Sequence, residues 1–223
     1  MITVHHLENS QSIRILWLLE ELGADYKIQH YKRVGPQTLA PSEYKKLHPI
    51  GKSPTITDGD LVLAETNAIM DYILDQFPDS PLRPQPGTPE RTRYLYWLHA
   101  TQGSFMPLLL DTLIFKRFIS KAPFFLRPIM KAVIGRARKA YLDPNMSKML
   151  AYIDAELGRS TWLAGEQLTA ADIVMGYCLS VAEVRVGLTD QHPNIRRFLS
   201  QMRERPNYKT ALVKNGPFNP LSG

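Results

Sequence analysis

Three short stretches of the chain set small polar and charged side chains where a ligand could be held. The first, Asn9-Ser10-Gln11-Ser12, stands at the head of an apolar-periodic run. Small polar residues there are helix caps, or they leave free N–H groups and the positive dipole end to a bound anion. The second reads His48-Pro49-Ile50-Gly51-Lys52-Ser53-Pro54. Pro54 opens a strand and cannot donate to its ladder. A cis Ser53–Pro54 bond would leave the Ser53 N–H and C=O to pair with the backbone of a peptide ligand. The competing reading is an ordinary proline turn with Lys52 as a surface lysine, although Lys52 could equally hold a carboxylate. The third, Ala64-Glu65-Thr66-Asn67, opens another helix. The Thr66 N–H and hydroxyl would suit a carboxylate, against the plainer reading of a cap with a dipole-favoured acid.

Much other chemistry is excluded. The one cysteine, Cys178, cannot form an internal disulfide, and there is no CxxC pair. The six histidines show no HExxH or similar spacing, so no metal is expected. Neither GxGxxG nor GxxxxGK[ST] occurs. No apolar run approaches the roughly 20 residues of a membrane span. MITVHHLENS lacks a basic patch followed by an apolar stretch, so the expected location is the cytoplasm. Over 223 residues, apolar content of 44% and charged content of 22% allow one large domain or two small ones. The net charge of +6 is uneven. Lys116, Arg117, Lys121, Arg127, Lys131, Arg136, Arg138 and Lys139 fall within 116–139 with no acid. That segment is +8, leaving 6 − 8 = −2 for the rest. It reads as a solvated helical face, or as a patch for an anionic ligand, a membrane surface or nucleic acid. No nucleic-acid-binding motif accompanies it.

The elements that must position these residues follow from periodicity. Strands are predicted at Ile2–His6 and Tyr26–Tyr31, with a hairpin of Pro54–Thr57 and Leu61–Leu63 around Asp58-Gly59-Asp60. Helices are predicted over Ser10–Leu22, ended by Gly23, and over Glu65–Gln76, with a short irregular one at Pro41–Leu47. The order is βαβαββα. Pro78 to Glu90 holds five prolines in thirteen residues and reads as a linker. Beyond it the pattern is helical throughout. Arg91–Leu113 is interrupted at Pro107, Phe124–Ala140 and Pro144–Leu157 follow, and Thr169–Val184 opens on a Thr169/Asp172 capping box with a Leu168/Ile173 staple. His192–Glu204 is the last helix, stopped before Pro206. The boundaries are 1–80 for an α/β domain and 90–223 for an all-helical one.

Together these pieces resemble the cytosolic glutathione transferases, most closely the bacterial and fungal serine-type branch. That branch opens its first helix with S-x-S-x-R-x-x-W-L-L-E-E-L, here Ser10, Ser12, Arg14, Trp17, Leu18, Leu19, Glu20, Glu21 and Leu22. Lys52-Ser53-Pro54 is similar to the family's [KQ]-V-P segment, Glu65-Thr66 to its E-[ST] pair, and Leu168–Ile173 to its helical capping box. The resemblance implies a thioredoxin-like N-terminal domain followed by an all-helical C-terminal domain, a homodimer, and glutathione as co-substrate. It implies that the Ser53 backbone pairs with the cysteinyl unit on the turn made by Pro54. Glu65 and Thr66 hold the γ-glutamyl end and Lys52 faces the glycyl end. Ser10 donates to the sulfur, with Ser12 and Asn9 as the other candidates. A thiol of pKa 8.5 is only about 3% ionised at pH 7. One hydrogen bond to the charged form is worth roughly 1.5–3 kcal/mol, or about one to two pKa units. No general base is then needed. Ser53, Gln11 and Gln102 depart from the family's usual apolar, basic and acidic residues.

The second domain is expected to shape a pocket for a small hydrophobic electrophile through Phe105, Met106 and Leu109. Such a stripe can equally be core. Cys178 reads as a buried thiol, and no cysteine stands at the head of helix one, so thiol transfer and dehydroascorbate reduction are not expected. The expected function is conjugation of glutathione in detoxification, with weak peroxidase activity as an extra. Two rivals are a non-catalytic binding protein and a glutathione-dependent isomerase or dehalogenase.

Overall fold

A computed structural model describes residues 1–35 and 39–217. Its first element, β1 (Thr3–Leu7), pairs in parallel with β2 (Lys27–Tyr31) and antiparallel with β3 (Thr55–Asp58), which pairs with β4 (Leu61–Ala64). The strand order is β2-β1-β3-β4. Val4 sits at the centre, opposite Ile28 on one side and Ile56 on the other. The hairpin turns at Gly59 and Asp60, where Gly59 has φ +57°, a value costly for any side chain.

Three helices accompany the sheet: α1 (Ile13–Leu22), the single turn α2 (Ser42–Lys45) and α3 (Thr66–Asp75). The order βαβαββα is as expected. Every residue of α1 from Ile13 to Leu19 is buried. One face covers the sheet and the other is covered by the helical domain. Gly23 ends α1 in the left-handed conformation, and the Ala24 N–H returns to the Leu19 carbonyl at 3.0 Å. The proline-rich stretch after α3 contains no helix or strand up to Thr88, but it is pinned. Leu82 is buried and its carbonyl accepts from the Ala170 N–H at 2.9 Å.

The helical domain departs from expectation in three ways. Pro107 does not interrupt its helix. Helix α4 (Pro89–Ala100) passes through one wide π-helical turn, Thr101–Phe105, into α5 (Met106–Lys121). Pro107 has no N–H for the usual bond to the preceding turn, and the wide turn just before it absorbs the mismatch. The same device, Arg138–Leu142 ahead of Pro144, joins α6 (Arg127–Ala137) to α7 (Asp143–Leu157), which were expected to be separate helices. Third, Pro206 ends one helix and starts another. After α8 (Ala170–Arg185) and α9 (Pro193–Glu204), Arg205 is extended and Pro206 opens α10 (Pro206–Asn215). Proline is disfavoured inside a helix but favoured at its first position. The Asp172 carboxylate, expected in a capping box, accepts from the Thr169 N–H and hydroxyl and from the Leu163 N–H at 2.7–2.8 Å. Burial raises its pKa to about 6 against the lowering effect of these bonds.

Helix α10 clasps α1. Glu21 is bound by Arg205 through two bonds of 2.7 Å, by Asn207 at 3.1 Å and by the Trp17 indole at 2.8 Å. Tyr208 packs edge-on against Trp17, and Lys214 reaches Glu20 at 2.5 Å. Burial pushes the Glu21 pKa up, but its three donors outweigh it and hold the carboxyl below its ordinary 4.5. A group lowered in this way stabilises the fold fully above pH 4.5, and the contribution is lost as pH falls through the folded value. Arg205→Ala should cost about 2 kcal/mol at pH 7 in urea unfolding, less than a fully buried pair because Arg205 is about a third exposed. The gap from wild type should close as pH drops below 4.5.

Candidate functional site

The head of α1 carries a chain of hydroxyls. Ser10 Oγ lies 2.8 Å from Ser12 Oγ and 2.8 Å from Ser53 Oγ. Ser12 Oγ in turn lies 2.8 Å from His6 Nδ1. Ser12 occupies the cap position of α1 yet makes no capping bond, because its hydroxyl is spent on His6 and Ser10. Ser10 and Ser12 are buried and Ser53 is half-buried. Three distant segments therefore meet: β1, the turn before α1, and the turn before β3.

The Ser53–Pro54 peptide is cis, and the strand ladder begins only at Thr55. The turn is anchored from below. The Thr55 hydroxyl donates to the Lys52 carbonyl at 3.0 Å, and the buried Tyr44 hydroxyl to Thr55 Oγ1 at 3.4 Å. Glu65, at the start of α3, has φ +75°, a conformation that side chains adopt only under strain. It too makes no capping bond, and the first intrahelical bond is Ile69 N–H to its carbonyl at 2.9 Å. The N–H groups of the first turn thus point outward beside buried Thr66.

These parts border one cleft of about 230 Å³. Lys52, Ser53 and Pro54 form one wall and Glu65 and Thr66 another. The third comes from Gln102, inside the π-helical turn, and from Met106. Gln11, Ile50 and Ala64 complete it; each falls within one of the three stretches read from sequence, although none was given a ligand-binding role there. Ser10 stands behind Ser53, one hydrogen bond from the lining. Asn9, at φ +50°, gives its carbonyl to Arg33 at 3.2 Å. Asn9 and Ser12 do not border the cleft. Of the expected electrophile pocket only Met106 lines it; Phe105 and Leu109 are fully buried in the helical core. Their apolar spacing marks the face that packs, as in any half-buried helix. Cys178 is buried, 3.2 Å from the Arg14 guanidinium, and burial pushes its thiol pKa up against the pull of Arg14.

His6 is the residue that sequence reasoning missed. Strand alternation puts it on the same face as buried Val4, where a polar side chain must find a partner. Burial lowers its pKa to about 4, helped by the His30 ring 5.2 Å away and opposed by the Asn215 backbone and Glu8. His5, bonded to Tyr31 and Thr57, is also lowered by burial. A histidine held neutral by the fold leaves stability unaffected above pH 6.5. Below it the unfolded chain binds the proton first, so stability falls as pH drops from 6.5 toward 4. For His6 the loss is on the order of 3 kcal/mol. Replacing His6 by Asn should flatten this slope in denaturation curves measured between pH 7 and 4.5.

Comparison with known proteins accounts for both halves of the chain. Residues 1–75 match the family profile "Glutathione S-transferase, N-terminal domain", and residues 117–206 match "Glutathione S-transferase, C-terminal domain". Glutathione S-transferase 3 of Schizosaccharomyces pombe is 33% identical, over 96% of this chain and 88% of the relative. Glutathione S-transferase 1 of Saccharomyces cerevisiae is 28% identical, over 96% and 95%. A crystal structure of a glutathione S-transferase from Actinobacillus pleuropneumoniae superposes with TM-score 0.78 at 34% identity, covering 100% of this chain and 96% of that one. A theta class transferase from Xanthomonas axonopodis, solved with glutathione bound, superposes at 0.71 with 27% identity, covering 95% and 97%. The thioredoxin-like sheet, the helical domain behind it and these matches agree: the chain belongs to the glutathione S-transferase family.

Proposed function

We propose that this glutathione transferase activates its co-substrate through Ser10, and that the hydroxyl chain His6–Ser12–Ser10–Ser53 is what carries the role. A hydroxyl has one hydrogen to give and two lone pairs to receive with. For Ser10 to donate to a sulfur, it must receive from Ser12, which lies 2.8 Å away. Ser12 must then receive from His6, which requires the proton on Nδ1. With its pKa near 4, His6 is neutral at working pH, so it does not store the thiol's proton. It orients the chain. The thiol's proton goes to solvent, and the thiolate left behind attacks the electrophile.

The cleft supports the remaining assignments. The Ser53 backbone lies outside the ladder beside cis Pro54 and suits the cysteinyl unit. The outward N–H groups at Thr66, with Glu65 beside them, suit the γ-glutamyl end. Lys52 is exposed at the rim for the glycyl carboxylate. Met106 offers apolar surface to a small hydrophobic electrophile. The serine-type branch follows from Ser10 and from the absence of any cysteine at the head of α1. We place the boundaries at 1–80 and 90–223, and read the chain as a cytoplasmic homodimer serving detoxification, with weak peroxidase activity from the same thiolate. No helix among the described residues is long and apolar enough to cross a membrane. The comparisons do not favour the non-catalytic binding reading.

Ultraviolet difference absorbance of the protein with glutathione, titrated with pH, reads the bound thiolate directly. Ser10→Ala should raise the bound thiol pKa by about one to two units, with glutathione still bound. His6→Ala should raise it by less. His6→Asn, whose amide N–H can stand where Nδ1–H stands, should recover most of that change. A wild-type thiol pKa equal to that of free glutathione would sink the mechanism.

A further inference from the structure

We propose that the tip of the α5–α6 hairpin is a docking surface for an anionic lipid membrane. The chain turns between Lys121 and Arg127, and the turn carries Phe124 and Phe125, which are 81% and 63% exposed. Their rings meet edge-on at 5.6 Å, a pair standing in solvent. Along α6 the apolar side chains Ile129 and Val133 continue the patch, four residues apart and about 60% exposed. The residue of α6 that packs inward is Ile134, so this stripe points away from the core. Contiguous exposed apolar side chains of this size mark an interaction site.

The charge around the patch says what covers it. Segment 116–139 is +8 and holds no acid, while the rest of the chain is −2. Arg127 ties the turn together by donating to the Ala122 and Ser120 carbonyls at 3.0 and 3.2 Å, and Arg138 pairs with Asp143 at 2.9 Å. Lys116 and Lys121 on α5, and Lys131, Arg136 and Lys139 on α6 and just beyond it, are exposed along the two arms of the same hairpin. Apolar side chains at a tip with cations on its flanks suit the headgroup boundary of a bilayer. The apolar groups enter the acyl region and the cations meet anionic headgroups. A nucleic acid would use the charges but not the aliphatic Ile129 and Val133. The charge asymmetry also turns this end of the molecule toward an anionic surface and the remainder away. Helix α5 runs from Met106 at the cleft to Lys121 at the tip, about 24 Å at the rise of an α-helix. A hydrophobic electrophile dissolved in the bilayer would then be concentrated near the site that consumes it.

The test is flotation of the full-length protein with vesicles of phosphatidylcholine alone and of phosphatidylcholine with phosphatidylserine. Binding to the anionic vesicles, weakened by added salt, is expected. Each basic residue near such a surface contributes about a fivefold factor in partitioning. Lys121→Ala with Lys131→Ala should therefore lower it roughly 25-fold. Phe124→Ser with Phe125→Ser should weaken it too, and both double variants should keep wild-type turnover in solution. Equal or absent binding to the two vesicles would overturn the proposal. So would anionic-vesicle binding indifferent to the phenylalanine changes, which would be charge attraction alone. A dimer that falls apart in sedimentation when Phe124 and Phe125 are changed would assign the patch to a second copy of the chain instead.

Discussion

Helix α1 cannot be left half-covered. Seven consecutive residues, Ile13 to Leu19, are buried, so apolar side chains leave the helix in every direction. A helix of that kind is stable only when enclosed. The sheet encloses one side and α8 and α10 the other, and the two domains are thereby held as one unit. Gly176 of α8 marks how close the approach is, since a Cβ there would collide with Met202 and crowd the Trp17 ring. The polar exceptions on α1 find partners where they emerge, with Glu21 on Arg205 and the two terminal nitrogens of Arg14 on Gln11 and Cys178, its guanidinium stacked over Tyr177 while Nε stays buried without a hydrogen bond. The head of α1 inherits this rigidity, and the hydroxyls that stand there are placed by the packing of the whole molecule.

The helices that begin after Ser12 and Glu65 start without a side-chain cap. Ser12 and Glu65 both occupy cap positions and neither caps. A capping bond is typically worth about 1 kcal/mol, and the left-handed backbone of Glu65 costs on the order of another. Ser12 spends its hydroxyl on His6 and Ser10 instead, and Glu65 with Thr66 borders the cleft.

Much of this was legible beforehand, and the limits are physical. Alternation, the Asp58-Gly59-Asp60 turn, Gly23 and the Thr169/Asp172 pair are local signals, and each stands where its chemistry put it. The cis bond before Pro54 was one of two readings that the sequence left open, the other being an ordinary proline turn, and the fold adopts the cis form. What escaped was non-local. Proline reads as a stop, yet Pro107 and Pro144 are carried through by wide turns that no residue type announces, and Pro206 is also a start. Phe105 and Leu109 follow the same helical period whether they face a pocket or a core. His6 acquired meaning only when β1 was laid beside the head of α1.

The clasp of α1 by α10 has a consequence for how the chain is made. Some 180 residues separate the end of α1 from the start of α10. At ordinary synthesis rates of about 5–20 residues per second, the Trp17 face of α1 stays without that cover for roughly 10 to 40 seconds. The sheet can assemble in that interval, but its most apolar helix remains sticky. Birth of this protein is therefore a period of exposure that closes only when one of its latest helices arrives, and chaperone demand should be set there rather than by the stability of the finished fold.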